Sequence, residues 1–196
     1  MSRAFYRLAT LIAASSFAVA FAATAAIGPR ARLLWNSSAS APVGLYLVHV
    51  GARPRRGVFV ALMPPPGLAA FMVRRRYLGV NVPLLKRVAA TAGARVCRAD
   101  DLITIDGVAR ATARAHDRAG RALPGWGGCR ALERGELFLL NAPADSFDSR
   151  YFGPLSDQSV IGTATPILTR AAPDAPWRWH DDATVHADKE ATHAYR

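Results

Sequence analysis

Two hydrophobic rhythms divide the chain. From Leu8 to Ile27 there is no charged residue, with Arg3 and Arg7 before this run and Arg30 and Arg32 after it. About 20 helical residues span about 30 Å, the thickness of a bilayer's hydrocarbon core. Residues 8–28 are therefore expected to form one N-terminal transmembrane helix behind a short cytoplasmic segment, residues 1–7. The run is longer than a signal-peptide core, which favours a retained anchor, while Ala23 and Ala25 leave a cleavable signal segment open. The arginines at the N-terminal flank point the rest of the chain outward.

From Leu45 onward the rhythm shortens to apolar runs broken by glycine, proline and arginine, the signature of strands rather than helices. Leu45–Val50 and Val58–Leu62 read as neighbouring strands, and Leu84–Ala90, Ala94–Cys97, Leu102–Ala109, Gly135–Leu140, Ser159–Ala164 and Pro166–Thr169 continue the series. Asp106-Gly107 marks a tight hairpin turn. Only Leu68–Leu78, after three prolines, carries helix-forming residues, and its Arg74-Arg75-Arg76 is expected to face solvent or anionic headgroups. Residues 110–129 read as an irregular excursion. The expectation is a mainly β fold of antiparallel strands over residues 33–170, followed by a polar, flexible tail over residues 171–196.

Composition changes this picture in two ways. The chain of 196 residues carries a net charge of +11, almost all of it arginine, because Lys86 and Lys189 are the only lysines. Without a zinc-finger spacing, a helix-turn-helix or an aromatic-studded basic strand, nucleic acid is not the expected partner; membrane lipid is. The second point concerns the two cysteines, Cys97 and Cys129, which an exported, oxidising setting would join into a disulfide. The tail histidines His180, His186 and His193 have no scaffold that would make them metal ligands, and no metal or cofactor is expected.

The chemistry gathers in three boxes. The first is Asn36-Ser37-Ser38-Ala39-Ser40-Ala41-Pro42-Val43-Gly44-Leu45-Tyr46. The second is Leu84-Leu85-Lys86-Arg87-Val88, a lysine set inside an apolar strand. The third is Ser146-Phe147-Asp148-Ser149-Arg150. A serine hydroxyl needs a base to become a nucleophile, and no histidine is well placed: His49 is isolated in a strand, and His116 lies in the excursion. Lysine serves only when neutral. Lowering its pKa by two to three units requires about 3–4 kcal/mol of disfavour for the charged form, which burial among Leu84, Leu85, Val88 and Ala89 can supply.

In order, after a hydrophobic segment and alternating with strands, these boxes make the chain resemble the type I signal peptidases, which are serine–lysine proteases. Within them it is most similar to the TraF-type peptidases of conjugal transfer systems. The resemblance runs from Asn36 to Ile167 and departs from ordinary signal peptidases at Ala41, where methionine is usual. It implies a signal-peptidase-like antiparallel β fold, with Ser40 as nucleophile, Lys86 as general base and Ser38 as an oxyanion donor beside the Ser40 N–H. Ser146 would orient the lysine, and Asp148 with Arg150 would form a supporting ion pair, the aspartate having a more direct part in some accounts of this branch. It further implies an anchored endopeptidase on the periplasmic side of the inner membrane. Its substrate would be an exported precursor such as a pilin, released by hydrolysis or by joining its ends. The competing expectation is a catalytically silent anchored β module that binds parts of a secretion or conjugation apparatus.

Overall fold

A strand buried on both faces needs neighbours on both edges, and the chain supplies them antiparallel throughout. The computed structural model describes residues 3–27, 31–172 and 174–180. Helix α1 (Arg3–Ile27) precedes β1 (Ala31–Asn36), β2 (Val43–Val50), β3 (Phe59–Leu62), helix α2 (Pro66–Arg74) and β4 (Leu84–Ala90). Then come β5 (Arg95–Ala99), β6 (Leu102–Ile105), β7 (Val108–Thr112), β8 (Gly128–Ala131) and β9 (Glu136–Leu139). Helix α3 (Ser149–Phe152), β10 (Leu155–Ser156), β11 (Val160–Arg170) and β12 (Arg178–Trp179) complete the order. The large sheet runs β1-β2-β11-β3-β4-β9-β10, with β12 added to β11, and a small sheet runs β7-β6-β5-β8. The mainly antiparallel β expectation holds.

In the large sheet, β4 lies between β3 and β9, and six of its seven residues are buried or half-buried. This is why Leu84–Ala90 reads as an almost continuous apolar run and not as an alternation. Strand β2 does alternate, turning Tyr46 and Val48 inward. At its start, Gly44 has φ +147, and a Cβ there would stand 2.1 Å from the Leu168 carbonyl oxygen, so β2 and β11 can approach this closely only through glycine. The glycine of the first box is thus a sheet-packing requirement. Val60, Leu62, Met72, Leu84, Val88, Leu137 and Leu139 form one core cluster, and Ala90, Val96, Ile103, Ile105, Leu132 and Phe138 join the small sheet to the large one.

Several expectations shift in detail. The Asp106-Gly107 hairpin is present, both residues having positive φ (51 and 79), as a primed two-residue turn requires. Helix α2 begins earlier and ends earlier than Leu68–Leu78: Pro66 stands in its first turn, where its missing N–H costs nothing. After Arg74 the chain leaves the helix through Arg76 at φ 59. The two strands expected around Pro166 are one strand, β11, that passes the proline with a register shift. The excursion over residues 110–129 is partly ordered, because it contains the end of β7, a His116–Ala122 bridge and the start of β8.

Two elements depart further. Strand β1, unpredicted, pairs with β2 from Ala31–His49 to Asn36–Gly44. The flexible tail expected from Ala171 instead returns to the sheet where it is described: Arg178 and Trp179 pair with Thr169 and Leu168, and Trp177 packs on Trp35 with ring centroids 5.9 Å apart. Residues 181–196 lie outside the described residues. Helix α1 is formed over 25 residues, but among the described residues no helix is long and apolar enough to cross a membrane; the side chains at positions 20, 21 and 23–27 of the apolar run fall outside the description.

Candidate active site

The first box is a turn built by one side chain. Asn36, at the end of β1, donates from Nδ2 to the carbonyls of Ser38 (2.9 Å), Ala41 (3.2 Å) and Pro42 (3.0 Å), while its Oδ1 accepts from the Ser38 N–H (3.1 Å). Tyr46, buried in β2, donates its hydroxyl to the Pro42 carbonyl at 2.7 Å. The segment between is held at both ends and lifts Ser38 and Ser40 to the surface of a cavity of about 590 Å³. The two hydroxyls lie 3.0 Å apart, and the Ser40 N–H donates to Ser38 Oγ at 3.3 Å.

Lys86 reaches the same cavity from β4. It is 3% exposed, and its ammonium group has Ser146 Oγ as a partner at 3.0 Å. Burial pulls its pKa down to about 8; Asp148 opposes the shift, and Arg150 assists it. Ser40 and Lys86 line one cavity but share no hydrogen bond in this arrangement. Lys86 thus stands, with a lowered pKa, on the cavity that the Ser40 hydroxyl also lines.

The third box supplies the lysine's supports. Asp148 is fully buried and caps α3 by accepting from the Arg150 N–H at 3.2 Å. Its two oxygens also take the Arg150 guanidinium in a two-point pair, Nε to Oδ1 and Nη2 to Oδ2, both at 3.0 Å. Phe147 stacks on Tyr151 and Phe71, with ring centroids at 5.4 and 5.5 Å, and fixes the loop against α2. Ser149 Oγ accepts the Leu139 N–H at 2.9 Å, tying α3 to β9.

One residue that joins these parts had no role in the sequence reading. Asn141, just after β9, accepts the Arg87 N–H at 2.9 Å and donates to the Leu85 carbonyl at 3.1 Å, gripping the backbone on both sides of Lys86. Its own N–H donates to Asp148 Oδ2 at 3.1 Å, and its carbonyl accepts from Arg150 Nη2. In sequence, Asn141-Ala142-Pro143 reads as an ordinary turn; the sign available was an amide side chain directly after the apolar run Leu137–Leu140. Behind this loop, the small sheet holds it from the other side. Arg98 donates to the Arg150 carbonyl at 2.7 Å, and Trp126 donates to the Ser149 carbonyl at 2.9 Å. Cys97 and Cys129 are joined by a disulfide across the paired strands β5 and β8. Of the tail histidines, His180 is bonded to Thr169 at 2.8 Å, and His186 and His193 lie outside the described residues.

The protein-family model described as signal peptidase, peptidase S26, matches residues 5–169. A conjugal transfer protein TraF of Agrobacterium fabrum is 38% identical over 144 residues, covering 68% of this chain and 81% of that protein. A plasmid transfer protein TraF of Escherichia coli is 30% identical over 180 residues, covering 86% of this chain and 99% of its own length. Among solved structures, a signal peptidase I of Enterococcus faecalis matches 58% of this chain and 97% of its own at 23% identity. Its TM-score of 0.34 is too low to support an argument about the site.

Proposed function

Because the chain belongs to the signal peptidase family, peptidase S26, we propose that it is a serine–lysine endopeptidase of a conjugal transfer system that cleaves an exported precursor, a pilin, beside the membrane. The observation that carries this reading is Lys86: an amine 3% exposed in an apolar strand, bonded to a serine hydroxyl, opening on the cavity that Ser40 shares. A binding module has no need of a lysine whose burial works against the fold.

Ser40 Oγ adds to the scissile carbonyl carbon as its proton passes to neutral Lys86 Nζ. Ser146 keeps that amine aimed without restoring its charge. The oxygen that becomes negative is received by the Ser40 N–H and the Ser38 hydroxyl, which bond to one another until substrate separates them. The C–N bond then breaks, the leaving amine takes the proton from Lys86, and an acyl ester remains on Ser40. Water attacks the ester with Lys86 again as base, which frees the acid and restores both residues. If an amine of the substrate attacks instead, the same ester yields a joined product.

Helix α1 serves as the anchor in this reading. Its 25 residues span about 37 Å at 1.5 Å each. The link from Ile27 to Ser40 keeps the nucleophile within about 40 Å of the bilayer, with the catalytic domain on the periplasmic side of the inner membrane. The test is processing of the precursor by cells carrying Ser40→Ala or Lys86→Arg. Both should accumulate the full-length precursor, and normal processing by both refutes the proposal.

A further inference from the structure

The cavity that holds Ser40 and Lys86 has a strongly basic wall: Arg75, Arg76, Arg114, Arg118 and Arg121 line it, against Asp117 and Asp145. Three of these arginines are committed. Arg75 and Arg121 both pair with Asp117, and Arg118 pairs with Asp145. Arg76 and Arg114 have no acidic partner among the described residues, and both are exposed.

This wall is assembled from distant parts of the chain. Arg75 donates to the Ala122 carbonyl at 2.8 Å, Arg121 donates to the Arg75 carbonyl at 3.1 Å, and the Tyr77 hydroxyl bonds to Asp117. Residues 114–122 are thereby fastened to the end of α2. The Arg114 N–H donates to the Tyr151 hydroxyl at 3.0 Å, and Tyr151 stacks on Phe147 in the loop that supports Lys86. Arg76 has a left-handed backbone, φ 59, just beyond the helix end, a position where glycine is the ordinary residue. An arginine there carries a conformational cost that its side chain does not recover from any acidic partner among the described residues.

We propose that Arg76 and Arg114 form an anion subsite of the cleft, which receives an acidic side chain of the substrate peptide near its scissile bond. The inference rests on the protease reading above. Two guanidiniums on a shared cavity, neither with an acidic partner among the described residues, offer forked donors matched to a carboxylate. Solvent-exposed pairs of this kind are individually weak, and the two together should favour an acidic over a neutral peptide by about tenfold in kcat/KM.

The test uses the full-length protein in detergent with a degenerate peptide library, cleavage sites being read by mass spectrometry. Wild type should cleave peptides enriched in Asp or Glu at one position relative to the bond. Arg76→Gly with Arg114→Gln should lose the preference by about tenfold and cut neutral peptides within about twofold of wild type. The glycine relaxes the left-handed backbone, so the variant is not expected to lose stability. Cleavage without acidic enrichment, or enrichment unchanged in the variant, overturns the subsite. Binding of phosphatidylglycerol vesicles that falls in the variant while its peptide preference is unchanged assigns the arginines to lipid and overturns it equally. Peptides retained by the full-length Ser40→Ala protein separate the two readings. If wild type cleaves nothing, yet Ser40→Ala retains acidic peptides and loses them on adding the two arginine changes, the protease reading falls and the subsite stands. If nothing is cleaved and retention shows no acidic bias, both fall.

Discussion

Replacing Lys86 with methionine should stabilise the protein at neutral pH and destabilise it in alkali. Methionine keeps the unbranched stem and removes the charge. Burial draws the Lys86 pKa from 10.5 to about 8, a difference worth about 3 kcal/mol at 1.36 kcal/mol per unit. Below pH 8 both folded and unfolded chains hold the proton, and the fold bears the whole cost of a buried ammonium. Between pH 8 and 10.5 the folded state has released its proton while the unfolded state still binds one, so wild-type stability rises with pH through that window. The variant lacks this gain and also loses the bond to Ser146, worth about 1 kcal/mol. Lys86→Met should therefore be about 2 kcal/mol more stable than wild type near pH 7 and about 1 kcal/mol less stable above pH 10.5. Guanidinium unfolding of the two full-length proteins in detergent measures this. Tryptophan fluorescence is a suitable probe, because Trp126 packs edge-on to the buried ring of Phe138. Other titrations cancel in the difference. A difference that stays constant to within about 0.5 kcal/mol from pH 7 to 10.5 would refute the desolvation argument and, with it, the physical basis for Lys86 as a base.

On the proposed mechanism, in which only neutral Lys86 accepts the Ser40 proton, the same titration governs activity: kcat/KM should rise about tenfold per pH unit below pH 8 and level off above it, and a profile flat from pH 6 to 9 contradicts the assignment. Arg150→Met leaves Asp148 buried without its partner and should cost about 3–5 kcal/mol in chemical denaturation. In the surviving folded enzyme the activity limb should move to higher pH, because Asp148 then favours the lysine's charge unopposed. Reducing the Cys97–Cys129 disulfide, whose cysteines lie 32 positions apart, should lower stability by about 3–4 kcal/mol in the chain-entropy model, seen as a lower denaturation midpoint. It should also slow turnover, since Arg98 and Trp126, adjoining the bridge, hold the Ser149–Arg150 backbone behind Lys86.

What the sequence determined by itself are features whose physics is local. Alternation and apolar runs fix which stretches become strands, because side-chain period and burial are properties of consecutive residues. The Asp106-Gly107 turn was legible because few residues tolerate positive φ twice in succession. A lysine within Leu84–Ala90 was conspicuous for a related reason: burying a charge is so unfavourable that its presence in a buried strand asks for a purpose. Ser38, Ser146, Asp148 and Arg150 were added to Ser40 and Lys86 by what the resemblance of the three boxes to the type I signal peptidases implies.

Only the tertiary structure decided what depends on partners far apart in the chain. Asn141 looked like a turn residue because its four bonds go to Leu85, Arg87, Asp148 and Arg150, none of them a sequence neighbour. Strand β1 and the two residues of β12 have no strong pattern of their own and exist because β2 and β11 offer them unpaired edges. The arginines of Arg74-Arg75-Arg76 could be divided by role only once Asp117 was seen to engage Arg75 and leave Arg76 facing the cavity. The first box gained a builder as well: its serines are presented by the Asn36 amide, which closes a turn whose shape no spacing of hydroxyls specifies.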